Sequence, residues 1–227
     1  MRQTQITENV KKVKQAIKNG NRYGEKVLLC AATKMQSVAD INYAIIAGVD
    51  AVAENKPQEF RDKQADLLPC PRHFIGHLQT NKIKYLLGKI DLYHSCDRED
   101  LAVALAKASL DKGLTSNILI QINVGGESSK GGYTYEDSHE VFMRLKDEPG
   151  LCVKGFMAML PEDGEDEYKR GLVQKMRRLF DWAKTVSPDV EYLSMGMSGD
   201  YALCVEEGAN LIRVGSTLFG KRDYGQN

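Results

Sequence analysis

Two textures alternate along this chain. Short β-prone runs recur at 27–33 (VLLCAAT), 51–53 (AVA), 73–75 (HFI), 91–94 (DLYH), 117–124 (NILIQINV), 152–159 (CVKGFMAM), 190–195 (VEYLSM) and 210–214 (NLIRV). Runs this short and apolar read as strands, the most apolar of them buried on both faces. Between them apolar residues fall at helical spacing. Leu101, Leu105 and Ala108 share a face of 98–113, which Gly113 ends, and Leu172, Met176, Leu179, Ala183 and Val186 do the same over 165–187. Weaker helical patterns cover 38–47, 56–67, 79–87, 134–147 and 199–207. Ahead of the first strand, Ile6, Val10, Val13 and Ile17 form one face of an additional N-terminal helix that stops at Gly20.

Strand–helix alternation implies a parallel sheet with helices outside. Eight such units in roughly 200 residues fit a closed (β/α)₈ TIM barrel, with an open doubly wound sheet as the runner-up. No linker divides residues 1–227, so a single α/β domain with an extra N-terminal helix is expected. In a barrel the chemistry sits at the C-terminal strand ends. Here these carry Lys34, Glu54 and Asn55, His77, Ser95, Asn123, Met157 to Met159, Ser198, and Gly215 with Ser216.

Charge narrows the partners. The 31 basic and 31 acidic side chains cancel, which argues against a general electrostatic grip on nucleic acid or an anionic membrane. No apolar run approaches the roughly 18 residues of a membrane span, and the N-terminus lacks a signal-peptide core. Five scattered cysteines, Cys30, Cys70, Cys96, Cys152 and Cys204, form no CxxC pair. They read as reduced, buried thiols of a cytoplasmic protein.

The one polar feature that a strand of this texture does not explain is Lys34, directly after the first apolar run. It is either a solvated loop charge or an amine stripped of hydration and free to attack a carbonyl. The far end of the chain favours the second reading. Ser198 and Gly199 open a short helix, and Gly215 and Ser216 follow the eighth strand. Backbone N–H groups at a helix start, a glycine and a hydroxyl together make an anion cradle. The first and eighth strands are neighbours in a closed barrel, so amine and cradle would share one cavity. A carbonyl-bearing phosphate ester fits that description: pyridoxal 5′-phosphate, or the sugar-phosphate aldehyde of a cofactor-free Schiff-base aldolase.

Over essentially its full length the chain resembles the pyridoxal phosphate homeostasis proteins. The motifs are "AATK", "AENKPQE", "HFIGHLQTNK", "HSCDR", "LSMGMSGD" and "IRVGSTLFGKRDY", in that order. Thr33 stands where serine is frequent, and Lys56 and Pro57 fall where the family varies. The resemblance implies an alanine-racemase-like barrel that holds pyridoxal 5′-phosphate as a Schiff base on Lys34. It places Ser198, Gly199, Gly215 and Ser216 around the phosphate and Arg213 at the pyridine nitrogen. Asn55 and His77 line the ring pocket, and Met195 touches the ring. Arg213 would keep that nitrogen unprotonated and the ring a poor electron sink.

The implied role is intracellular cofactor homeostasis: binding, buffering and transfer to pyridoxal-phosphate-dependent apo-enzymes, by a monomer with no catalytic reaction of its own. No second, racemase-type domain with its catalytic tyrosine is expected after Lys221. The alternatives are a weak pyridoxal-phosphate enzyme such as an amino-acid racemase, the aldolase, or a barrel acting through protein contacts.

Three other features have plainer readings. His73 and His77 are four apart but lie on strand and loop, so a metal site is not expected. The basic run "KMRRLF", 175–180, reads as a solvated helix face. The loop "GGESSKGG", 125–132, reads as a flexible rim that could gate the pocket through Lys130. Besides Lys34, the residues Lys82, Lys130 and Lys221 are candidates to approach the same mouth.

Overall fold

A computed structural model describes residues 1–220; Lys221 lies outside the described residues. Eight parallel strands close into a barrel in chain order: β1 (Leu28–Ala32), β2 (Ala51–Glu54), β3 (Arg72–Phe74), β4 (Leu92–Cys96), β5 (Ser116–Ile122), β6 (Leu151–Ala158), β7 (Tyr192–Ser194) and β8 (Leu211–Val214). The seam is made by β1 and β8, with Cys30 beside Arg213 and Ala31 beside Val214. Each expected strand forms within one or two residues of its expected bounds, and the open-sheet alternative is excluded by closure.

The helices are α1 (Arg2–Ala16), α2 (Val38–Ile46), α3 (Pro57–Lys63), α4 (Ile83–Leu86), α5 (Glu99–Leu110), α6 (Ser138–Leu145), α7 (Asp166–Val186), α8 (Tyr201–Glu206) and α9 (Ser216–Phe219). Local chemistry starts two of them. The Ser37 side chain caps α2 through the Asp40 N–H, and Pro57 opens α3 where its missing N–H costs nothing. The short α9 was not legible in the periodicity, because four residues are little more than one turn. The N-terminal α1 buries Ile6, Val10 and Val13, and Asn9 donates to the Leu218 carbonyl of α9.

Strand alternation sorts the side chains into two shells. Cys30, Ala51, Ala53, Leu92, Leu119, Met157 and Leu211 fill the barrel interior. Leu29, Ala31, Val52, Ile212 and Val214 point outward to the helices, as do Phe74, Tyr93, Phe156 and Leu193 on the other side. The interior residues of β1 and β2 are small. Larger interior side chains come from β4, β5 and β6 on the facing side, Leu92, Leu119 and Met157.

Two readings of outer residues need correction. Arg177, in the run expected to be solvated, is only 5% exposed. It binds Glu25 at 2.6 Å, Asp181 at 2.7 Å and the Gly208 carbonyl at 3.0 Å, and lies over the Tyr23 ring. It ties the α1–β1 loop to α7, a contact between segments about 150 residues apart that no local pattern reveals. Burial alone would raise the Glu25 pKa, but hydrogen bonds from Arg177, Asn21 and Lys184 outweigh it and hold it at about 2. Among the cysteines, Cys30, Cys96 and Cys204 are buried, whereas Cys70 and Cys152 are half-buried; all five are free thiols. No described helix is long and apolar enough to cross a membrane.

Candidate functional site

A cavity of about 320 Å³ opens at the C-terminal mouth of the barrel. Its apolar wall is Ala32, Ile75, Met157, Met159 and Met197, and its polar lining is Lys34, Asn55, Ser198, Gly199, Arg213, Gly215 and Ser216. Seven of the nine residues expected at the site therefore meet in one place. Alternation explains the first group. Cys30 and Ala32 of β1 face inward, so Lys34 does too; Ala53 of β2 faces inward, so Asn55 follows.

The backbone carrying Lys34 is strained and clamped. Met35 sits at φ +62, a conformation that costs an L-residue roughly 1–2 kcal/mol. Thr33 and Glu54 face outward, where Thr33 Oγ1 donates to Glu54 Oε1 at 2.7 Å. Lys63 of α3 reaches the same point, donating to Glu54 Oε1 at 2.8 Å, Glu59 Oε2 at 3.0 Å and the Thr33 carbonyl at 3.3 Å. Glu59 Oε2 in turn accepts the Met35 N–H at 2.8 Å. Burial would raise the Glu59 pKa, but the Met35 N–H and Lys63 lower it; burial would lower Lys63, but Glu54 and Glu59 raise it. Lys34 itself makes no side-chain hydrogen bond or ion pair among the described residues.

On the other side of the seam the loops after β7 and β8 meet. The Ser198 hydroxyl accepts the N–H groups of Gly215 and Thr217, both at 3.2 Å, and so joins the two loops. Asp200 Oδ1 accepts the Met197 N–H at 2.6 Å and fixes the turn. The backbone N–H groups of Ser198, Gly199 and Ser216 have no acceptor among the described residues. A Cβ added at Gly199 would meet nothing within 4 Å, so the protein's own packing does not require glycine there.

The floor is polar and uncharged except for Arg213. This guanidinium is 5% exposed and has no carboxylate partner among the described residues. Its Nη1 donates to the Ser194 carbonyl at 2.8 Å and to Ser194 Oγ at 2.5 Å, and its Nη2 to the Ala158 carbonyl at 3.0 Å. Ser194 Oγ lies 3.0 Å from His94 Nδ1, and His94 Nε2 lies 3.0 Å from His73 Nδ1. Burial pushes Arg213 down from its ordinary pKa, His73 down to about 4, and His94 well below 6.5, aided there by His73 and Arg213. Both histidines are neutral at neutral pH. The neighbours of His94 come from three other strands, β3, β7 and β8, so no spacing along the chain reveals this cluster.

Two expected residues lie elsewhere. Met195 is fully buried in the outer shell, because Ser194 faces inward and the next residue must face out. Met197, two residues on and past Gly196 at φ +102, lines the cavity instead. His77 follows Gly76, whose backbone is pressed so closely on Asn55 that a Cβ would sit 1.9 Å from its carbonyl. Beyond that contact the chain has left the barrel. His77 is exposed at the rim, with Nδ1 2.8 Å from the buried Asp97 carboxylate. Of the other candidate lysines, Lys82 and Lys130 do not line the cavity. Lys82 lies over the Tyr85 ring, and Lys130 turns back to Glu127 and the Leu160 carbonyl. Lys130 is therefore occupied within its own loop and does not reach into the pocket.

The residues fit a phosphorylated carbonyl guest. Among the described residues, three amides on the β7/β8 side have no acceptor, Lys34 on the β1 side has no side-chain partner, and the buried Asn55 Oδ1 has no hydrogen-bond donor. A buried polar atom left unpaired is costly, so a ligand that donates to it would remove a penalty.

This barrel with its site at the β1/β8 seam belongs to a known class of fold. A sequence model of the alanine racemase N-terminal domain family matches residues 2–223. The chain belongs to that family and, within it, to the pyridoxal phosphate homeostasis proteins. The relative from Aquifex aeolicus is 36% identical over 222 residues, covering 96% of this chain and 97% of its own. That from Deinococcus radiodurans is 39% identical over 208 residues, covering 91% and 95%. Among solved structures, PipY of Synechococcus elongatus, crystallised with pyridoxal phosphate bound, superposes with a TM-score of 0.81 at 28% identity, covering 95% of this chain and 100% of that one.

Proposed function

We propose that this chain binds pyridoxal 5′-phosphate in the cavity at the β1/β8 seam and serves as an intracellular store and carrier of it. The observation that carries the reading is that one cavity is lined by Lys34 and by Ser198, Gly199 and Ser216, whose side-chain amine and backbone amides have no partner among the described residues. When bound, the cofactor supplies an aldehyde that forms a Schiff base with a lysine and a ring that can accept electrons.

The chain's own residues do the rest. Lys34 provides the amine. The amides and the Ser198 hydroxyl hold the phosphate at the α9 end. Asn55 would offer its unpaired Oδ1 to a donor on the cofactor, and the methionines would exclude water from the cavity. Arg213, always a donor and held by neutral groups, would meet the ring nitrogen with N–H groups and would favour its unprotonated form. An unprotonated ring is a weak electron sink, which favours holding and handing over the cofactor over carbanion chemistry on amino acids. Apo-enzymes that need the cofactor are the recipients on this reading, and the names of the relatives in Aquifex and Deinococcus agree with it.

The test is the visible absorption of the purified protein with added pyridoxal phosphate, followed by borohydride trapping and peptide mapping. A Schiff-base band with the modification on Lys34 is expected. A colourless, unmodified protein overturns the proposal, and amino-acid turnover well above that of free cofactor overturns the carrier role.

A further inference from the structure

We propose that Lys63 is a positioning residue for Lys34, acting through an ionic clamp that holds the strained turn from which Lys34 emerges. This rests on the reading of Lys34 as the cofactor-binding amine, but its structural basis is independent of any ligand.

Four observations converge. The clamp grips the residues on both sides of Lys34: Lys63 holds the Thr33 carbonyl, and Glu59, itself held by Lys63, takes the Met35 N–H. The Lys63 ammonium has three protons and three acceptors, so its donor capacity is used up at this one point. The turn it holds has a non-glycine residue in the left-handed region, and the Met35 side chain is exposed and buries little in return. A strained conformation persists only where surrounding contacts over-determine it. Finally, the geometry follows from alternation. Thr33 and Glu54 must face outward for Lys34 and Asn55 to face inward, so a helix-borne cation can hold the outward pair without entering the cavity.

A relaxed turn would let Lys34 sample directions away from the cavity. The clamp thus converts a flexible amine into a preorganised one, and preorganisation is recovered as affinity. The second carboxylate is needed as well as the first: Glu54 anchors Lys63 to the barrel, while Glu59 passes the restraint to the Met35 amide. The remaining oxygen of Glu54, Oε2, is buried without a partner among the described residues, so Lys63 and the Thr33 hydroxyl are the groups that pair this carboxylate inside the wall.

The experiment compares the full chain with Lys63→Met, Lys63→Arg and Glu59→Gln. Two readouts are taken: amide exchange at Met35 by NMR without ligand, and the dissociation constant for pyridoxal phosphate by absorption. Lys63→Met is expected to speed Met35 exchange about 100-fold relative to the barrel core. It is also expected to weaken cofactor binding about tenfold in the folded protein. Glu59→Gln has smaller effects in the same direction, and Lys63→Arg restores most of both.

Wild-type affinity in folded Lys63→Met and Glu59→Gln overturns the proposal, even where both are less thermostable, because a merely structural role would lower melting temperature alone. Should Lys63→Met fail to fold, Glu59→Gln decides by the same two readouts. If the wild type binds no cofactor, the carrier reading fails by itself. Met35 exchange and the rate of Lys34 acylation by an amine-reactive ester then still test the clamp.

Discussion

The two sides of the cavity are built from different materials. On the β7/β8 side, backbone amides and one hydroxyl form the cradle, within two short loops. On the β1/β2 side a single amine leaves a turn in a strained conformation, and charged side chains from α3 hold the residues that flank it. An anion has no preferred facing, so a ring of N–H groups binds it from several angles. An amine that must meet one carbonyl carbon has to be aimed, and aiming needs restraints from outside its own loop. Between the two sides lies a neutral floor of His73, His94 and Ser194 under Arg213.

The most severe way to break the comparison is Lys34→Ala, which removes the amine and leaves the cradle intact. The Schiff-base band should vanish, while inorganic phosphate still competes with weak, non-covalent binding of pyridoxal phosphate, followed by calorimetry. The floor comes next. The His73 pKa falls from 6.5 to about 4 on folding, so the unfolded chain binds its proton first. Stability is complete above 6.5 and is lost as the pH falls towards 4, by about 3 kcal/mol. The Glu25 contribution, complete above 4.5, is then lost as the pH falls through about 2. Urea denaturation from pH 7 to pH 3 measures the slope, and His73→Asn should flatten its upper part.

Ser198→Ala tests the cradle. Losing the hydroxyl that joins Gly215 and Thr217 should reduce the preference for pyridoxal phosphate over pyridoxal about tenfold, or about 1.4 kcal/mol, read from two absorption titrations. The smallest effect is expected from Met35→Gly. Relief of the left-handed strain is partly offset by the greater freedom of glycine in the unfolded chain, for a net gain of about 0.5 kcal/mol in thermal unfolding. Destabilisation there would mean that the turn is not strained and that the clamp has nothing to hold.

The cradle was legible in the sequence for the same reason that it is robust. Ser198, Gly199, Gly215 and Ser216 are adjacent in pairs at strand ends, and the backbone alone places the N–H groups of Ser198, Gly199 and Ser216, which have no acceptor among the described residues, whatever the side chains do. Lys34 was legible as the charge that ends an apolar run. Met195 was misplaced by one register step: in a strand the step from residue 194 to 195 turns a side chain from the interior to the helix layer. His77 was placed in the pocket because its motif is near the strand, whereas the tight passage of Gly76 over Asn55 carries the chain out before His77 is reached. Arg177 looked solvated because its partner Glu25 is far away in sequence.

The sequence by itself determined the barrel, its seam and the two chemical ends of the cavity. These depend on periodicity and on residues close together in the chain, and both are local quantities. Only the tertiary structure decided which lysine enters the cavity, how its turn is held, and that Arg213 rests on Ser194 and the Ala158 carbonyl, with no carboxylate partner among the described residues. Each of those depends on side chains from separate strands or helices meeting within 3.3 Å. Barrel closure and the shells set by strand alternation bring them together, and no spacing along the chain records such a meeting.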